Sequence, residues 1–348
     1  MLFQGPCGYR SFALLDTPEP LPDESAERRY FSTFFAPIRA ALRGDFDEFR
    51  ACWEHSGITA GNRQVGYGLE AFGIAQAQFD AFPWLVKALR AADIRRAKAE
   101  GRRAGFMSTQ DSADLGSKLE HLEAQFELGL RMLGLSYNVQ NAVAGGCMER
   151  FDGGVTHLGA ELIRQMDELG MIVDTSHSGR RATLDACELS MKPVVASHTS
   201  AEALHRTERA KSDDEIRAIA ATGGVVGLVA IPSFLAPGSG VTIEAMLDHI
   251  DHIGELVGPQ HVAIGTDWPL QVDERTLRES YVGMARQYAP AGQVDDSSAA
   301  PGASLAGFDD YRDFPNITRG LVRRGHSDEE IRGILGENFL RVFEAVCG

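Results

Sequence analysis

His177 and His198 each close a short apolar run, MIVDTSH (171–177) and PVVASH (193–198), and the segment SGRRATLDACELS (178–190) between them has helical character. Two imidazoles at the ends of successive strands, joined by one helix, are expected to point into the same mouth of an α/β barrel. The run HVAIGTDW (261–268) repeats the pattern and is followed by Asp267. Two neutral imidazoles and one carboxylate suit a divalent metal ion and a metal-activated water. In that chemistry Asp267 takes a proton from water and returns it to the leaving group; its ordinary alternative is a helix N-cap. Asp174 and Ser176, just ahead of His177, are candidates to orient a ring by hydrogen bonding. Arg206 and Arg209 follow the His198 run, and a guanidinium there can clamp a substrate carboxylate. Tyr137 and Asn138, in LSYN, can donate hydrogen bonds to a developing oxyanion. Solvated arginines and packing or turn roles are the alternatives for these four.

The elements that must position these residues alternate along the chain. DFDEFRACWEHSG reads as a helix closed by Gly57, and ITAGNRQV as a strand. An amphipathic helix over 86–101, a strand over 104–110, a helix over 115–133 and a strand over 133–138 follow, then a Gly-rich loop. Beyond it the spacing predicts helices over 157–170, 179–190, 213–222 and 242–257. These separate strands over 171–176, 193–197, 223–232 and 261–266. Continuous Val/Ile/Leu/Ala runs suit a parallel sheet buried on both faces. Strand–helix repeats of roughly 25–30 residues favour a (β/α)8 TIM barrel over a doubly wound sheet. No Gly-x-Gly-x-x-Gly follows the early strands, which argues against dinucleotide binding.

Residues 1–28 are rich in Pro, Asp and Glu and read as an extended arm, with LFQGP (2–6) resembling the remnant of a cleaved tag. Residues 29–348 then form a single barrel domain. The polar stretch 270–306 reads as an insertion, either a lid or partner-contact loop or a merely tolerated one. With 348 residues, 44% apolar and 24% charged, the chain has ordinary globular composition. Its net charge of −15 argues against a nucleic-acid partner. No run reaches the roughly 18–20 apolar residues of a membrane span, and no secretory signal is visible. Five scattered cysteines without a CxxC pair suit reduced thiols in a cytoplasmic protein.

From about residue 45 onward the chain resembles the membrane (renal) dipeptidase family, peptidase family M19, of the amidohydrolase-like barrels. The resemblance is carried by LGMIVDTSHSG, KPVVASHTSAEAL, DDEIRAIAATGGVVGL, HVAIGTDW and GENFLRVFEAV. It implies a metal-dependent hydrolase that cleaves dipeptides with two zinc ions, and often a homodimer. It also implies that His177 and His198 hold the second zinc, that Asp267 is the acid–base group and that Arg209 binds the substrate carboxylate. Tyr137 occupies the place of a substrate-binding histidine. Two departures stand out. The family holds its first zinc with a His-x-Asp motif on the first strand, and no histidine precedes His55 here. His249-x-Asp251 and His326-x-Asp328 spell the motif but fall on a predicted helix and at a helix start. Gln110 stands where the family has the glutamate that bridges both metals. A neutral amide offsets no cationic charge, so two adjacent ions would repel strongly. The expectation is one metal ion, zinc first, on His177, His198 and Gln110. Iron, or no metal at all, is compatible with the same residues. Three functions remain open: a dipeptidase-like hydrolase for a small carboxylate-bearing substrate, a barrel repurposed for lyase-type or biosynthetic chemistry, and a metal-free binding protein.

Overall fold

The computed structural model describes residues 47–66, 68–267, 305–308 and 311–348. The N-terminal arm, the tag-like stretch and all but the last two residues of the 270–306 insertion lie outside the described residues. Among them, eight strands run in parallel: β1 (Ala60–Gln64), β2 (Leu85–Lys87), β3 (Arg103–Thr109), β4 (Leu130–Gly134), β5 (Ile172–Asp174), β6 (Ala196–Thr199), β7 (Val226–Leu228) and β8 (Val262–Ile264). They form two ladders, β1-β3-β4-β5 with β2 also on β3, and β6-β7-β8. A parallel bridge from Asp174 to Val195 joins the two ladders. Across it Thr175 N–H donates to Val195 O at 2.8 Å and Val195 N–H to Val173 O at 2.9 Å.

Parallel pairing requires long crossovers, and helices supply them. They are α1 (Asp47–Ser56), α2 (Gly68–Ala81), α3 (Ala91–Ala99), α4 (Glu120–Glu127), α5 (His157–Leu169), α6 (Arg180–Leu189), α7 (Asp213–Ala221), α8 (Pro232–Leu235) and α9 (Ile243–Val257), followed by α10 (Phe314–Arg323), α11 (Asp328–Arg332) and α12 (Asn338–Cys347). Caps fix several boundaries. Thr156 Oγ1 accepts from Gly159 N–H at the start of α5, and Gly170, at φ 82°, ends it. Ser212 and Glu215 form a capping box on α7.

Three boundaries differ from the sequence expectation. The helix expected over 86–101 is β2 followed by α3. Pairing of Leu85–Lys87 with β3 overrides the helical periodicity, and Asp93 accepts from Leu89 and Arg90 N–H to restart the chain as a helix. The helix expected over 115–133 shrinks to α4. The strand expected over 133–138 is β4, at Leu130–Gly134, because the Met132–Ile172 and Gly134–Asp174 pairs with β5 set its register. Tyr137 and Asn138 therefore sit in the turn after β4, where Asn138 adopts φ 61°.

Side chains alternate between two buried faces. Met107, Leu133, Val173, Ala196, Val226 and Ile264 face the helices, packing in one cluster with Leu162, Met166, Ile216 and Ile250. Ala60, Phe106, Met132, Ile172, Val195, Val225 and Ala263 form a second, inner cluster. Phe339 and Phe343 of α12 stack on Phe106 with ring centroids 5.6 and 5.0 Å away, closing that cluster at the N-terminal end of the strands. Asn338 anchors α12 there by donating to Pro259 O and Val262 O, both at 2.8 Å. Two residues further along each strand the inner face turns small or polar: Asn62, Ser108, Gly134, Asp174, Ser197, Gly227 and Gly265. The glycines are required by close approach. A Cβ on Gly134 would overlap the Gln110 carbonyl, and one on Gly265 the Ser197 carbonyl.

Candidate metal and active site

The polar end of the inner face carries the histidines. His177 and His198 are 5% and 0% exposed, and their Nε2 atoms are 2.8 Å apart. Each ring is held from its other nitrogen. His177 Nδ1 donates to Asn138 Oδ1 at 2.7 Å, and Tyr137 stacks on the ring at 4.1 Å between centroids. His198 Nδ1 lies 2.8 Å from Ser197 Oγ. Ser197 Oγ donates to Asp174 Oδ2 at 2.5 Å, so its oxygen is left to accept from His198 Nδ1–H. Asp174 Oδ1 accepts from Ser176 Oγ at 2.6 Å and from Ser197 N–H at 2.9 Å. The Asp174 carboxylate thus supports His198 through Ser197, whereas His177 is oriented by Asn138. Asp174 and Ser176 are outer partners, as the sequence suggested, but of the histidine on the next strand.

With both Nδ1 atoms donating, both Nε2 lone pairs point at one location. Two lone pairs at 2.8 Å repel unless a cation, a proton or a metal ion, lies between them. Burial holds both rings well below the usual imidazole range; the nearby Arg209 and Lys211 charges push the same way, as does His198 on His177. A proton is therefore disfavoured, and neutral imidazole is the ligand form that zinc requires. Gln110 Nε2 lies 3.5 Å from His198 Nε2, and Gln110 Oε1 is buried without a hydrogen-bond partner. An amide rotation would present that oxygen to the same location. The donor set thus fits one divalent ion.

It does not fit two. Among the described residues no three His, Cys, Asp or Glu side chains converge as a metal-holding group, so Asp267 does not join the pair as a third ligand. The first strand, AGNRQ, carries amides and no histidine. His249 and His326 lie elsewhere: His249 accepts from Ala201 N–H and bonds Leu235 O, and His326 pairs with Asp251.

Asp267 follows β8, half-buried, at φ 50°. It and Asn138 are the non-glycine residues with positive φ among the described residues, and backbone strain of this kind concentrates at functional sites. Burial pushes its carboxyl up to about 7; Arg209 pulls it down and Asp174 pushes it further up. Arg209 is buried between the histidines and the loop after β6. Its Nη2 is 3.4 Å from His177 Nε2 and donates to His198 O at 3.3 Å, while Nη1 donates to Ser176 O. The guanidinium reaches the site but is bonded to backbone carbonyls. Lys211 fixes this loop: its ammonium, 2% exposed, meets Glu215 at 3.1 Å, Ser178 O at 2.8 Å and Thr183 Oγ1 at 2.7 Å. Arg206 is outside the site, 88% exposed and paired with Glu202. Residues not anticipated from sequence are Ser197, Lys211 and Cys147, whose Sγ is 3.5 Å from Asn138 Oδ1. Ser197 had a signal, since Val195 and Ser197 alternate onto the inner face.

Residues 36–276 and 296–347 match the membrane dipeptidase family, peptidase family M19, and the chain belongs to it. It is a divergent member, lacking the N-terminal His-x-Asp motif, and stands at family level among dipeptidase- and amidohydrolase-like hydrolases. Among solved structures, an amidohydrolase from Pseudomonas aeruginosa is 28% identical with a TM-score of 0.76, over 86% of this chain and 92% of that one. A probable dipeptidase, PvdM, also from Pseudomonas aeruginosa, is 22% identical with a TM-score of 0.70, over 85% and 88%. A metallopeptidase from Rhodobacter sphaeroides, bound to a phosphinate mimic of the dipeptide L-Ala-D-Ala, is 19% identical with a TM-score of 0.73, over 91% and 96%. These last two speak to the fold alone.

Proposed function

We propose that the chain is a metal-dependent hydrolase for an amide or peptide bond of a small, carboxylate-bearing substrate, and that it works with one metal ion. The observation that carries this reading is the pair of buried, neutral imidazoles with both Nε2 lone pairs at one place. Held by His177, His198 and Gln110, a zinc ion would supply Lewis acidity to the scissile carbonyl and to water. Asp267, with its carboxyl near neutrality, takes the proton from the attacking water and hands it to the leaving amine. Arg209 exchanges its backbone carbonyls for the substrate carboxylate, and Tyr137 packs the His177 ring. Asn138 holds the His177 tautomer, a different task from oxyanion stabilisation.

A second ion is disfavoured on electrostatic grounds. Arg209 already places one fixed positive charge beside the first ion, and Asn62, Gln64 and Gln110 add no negative charge. Two unit charges near 4 Å repel by about 4 kcal/mol at an effective dielectric of 20, and doubly charged ions by more. The fold proposed is a closed (β/α)8 barrel, supported by the inner cluster that gathers residues from β1 to β8. A single domain over 29–348 and a homodimer belong to the same proposal. A cytoplasmic setting is also part of it, motivated by the odd, scattered cysteines. Among the described residues no helix is long and apolar enough to cross a membrane. A screen of dipeptides with zinc-loaded and chelator-treated protein tests the activity. Zinc-dependent release of amino acids supports it, and no turnover on any amide removes it. Product that retains every substrate atom would favour lyase-type or isomerase chemistry instead.

A further inference from the structure

Three buried side-chain oxygens on β1 and just after β3 have no hydrogen-bond donor: Asn62 Oδ1, Gln64 Oε1 and Gln110 Oε1. Their residues are 3%, 5% and 3% exposed. Buried carbonyl groups are nearly always paired, and an orphan calls for an absent partner. Asn62 and Gln64 share the inner face, because Arg63 between them turns outward to Gln78 of α2, at 2.6 Å. Asn62 Nδ2 donates to Ser108 Oγ at 2.9 Å, leaning toward β3, and Gln64 pairs in register with Ser108. Gln110 lies two residues beyond Ser108 on that face and stands at the boundary with His198. The β1 edge of the mouth therefore offers acceptors and lacks donors.

We propose that this edge is the subsite for a protonated primary amine of the substrate, held by Asn62 and Gln64, with Gln110 shared with the metal position. A primary ammonium carries three N–H donors and no acceptor, the complement of such a set. Charge placement agrees. Arg209 bonds to residues at the ends of β5 and β6, several strands away, and the Asp174 carboxylate lies in the same inner layer as Asn62. A zwitterion is thereby oriented, with its carboxylate at Arg209 and its amine at β1. The inference rests on the reading that this mouth takes a small carboxylate-bearing molecule; it does not require the metal.

The test is calorimetric binding of alanyl-alanine and of N-acetyl-alanyl-alanine to the full chain carrying Asp267→Asn, which suppresses turnover. Hydrogen bonds to a charged group are the stronger class, so the free amine is expected to bind at least tenfold tighter than the acetylated probe. Gln64→Met is expected to erase that preference while changing the acetylated probe's affinity less than twofold. Its ligand-free melting temperature is expected to equal or exceed that of the parent, because an unpaired buried oxygen has been removed. Equal binding of the two probes, a preference that survives Gln64→Met, or no binding of the free-amine probe overturns the inference. Amine discrimination in a protein without metal or turnover would sink the hydrolase reading alone. Turnover without amine discrimination would sink this inference alone.

Discussion

Ser197→Ala removes one hydroxyl and breaks the support of His198 in two places. Asp174 Oδ2 loses its 2.5 Å donor, and His198 Nδ1–H loses its 2.8 Å acceptor. Asp174 and His198 are 2% and 0% exposed, so bulk water does not replace either partner. Each buried group left unpaired costs about 1–3 kcal/mol. The Ser197 N–H bond to Asp174 Oδ1 at 2.9 Å survives, so the expected loss is about 2–5 kcal/mol of unfolding free energy. Removing an outer partner of a metal-binding histidine typically weakens the metal about 10- to 100-fold. Urea titration at constant m-value reads the first quantity, and zinc competition against a chromophoric chelator reads the second. Ser197→Thr keeps the hydroxyl and is expected to stay close to the parent in metal affinity. Zinc affinity within twofold of the parent in Ser197→Ala, with an unshifted urea midpoint, would refute the relay from Asp174 to His198.

Other predictions concern charge. Gln110→Glu sets a carboxylate beside His198 and is expected to raise zinc affinity at least tenfold in the same competition assay; unchanged or weaker binding would remove Gln110 from the site. Lys211→Ala leaves Glu215 buried without its cation, and a loss of about 3–5 kcal/mol is expected in chemical denaturation. The Asp267 carboxyl sits near 7 in the folded chain, above its unfolded value. Turnover that uses its base form is expected to rise as pH climbs through about 7. Asp267→Asn should flatten that limb and lower kcat about 100- to 10,000-fold. The same raised value means that the folded state binds the extra proton, so this group's contribution to stability falls as pH rises from about 4 through 7. A pH series of melting temperatures for parent and Asp267→Asn checks the sign.

The histidine pair was legible because strand–helix–strand spacing fixes both ring positions at once. The parallel strands were legible from their unbroken apolar runs. What the sequence hid depends on register and on three-dimensional neighbours. LGLSYN reads as one strand, yet the β4–β5 pairing ends the strand at Gly134 and leaves Asn138 in a left-handed turn that serves His177. Leu85–Lys87 reads as helix until β3 is beside it. Asp174 looked like a partner for His177, its neighbour in sequence. The sheet delivers it to Ser197 on the adjoining strand instead. Arg209 was found by spacing, but its bonds to Ser176 O and His198 O come from a loop whose path Lys211 sets.

Elemental analysis of protein saturated with zinc and then desalted tests the single-ion site most directly. One zinc per chain is expected, falling to none in His177→Ala/His198→Ala. Two ions per chain, or a full complement retained by the double variant, would contradict it.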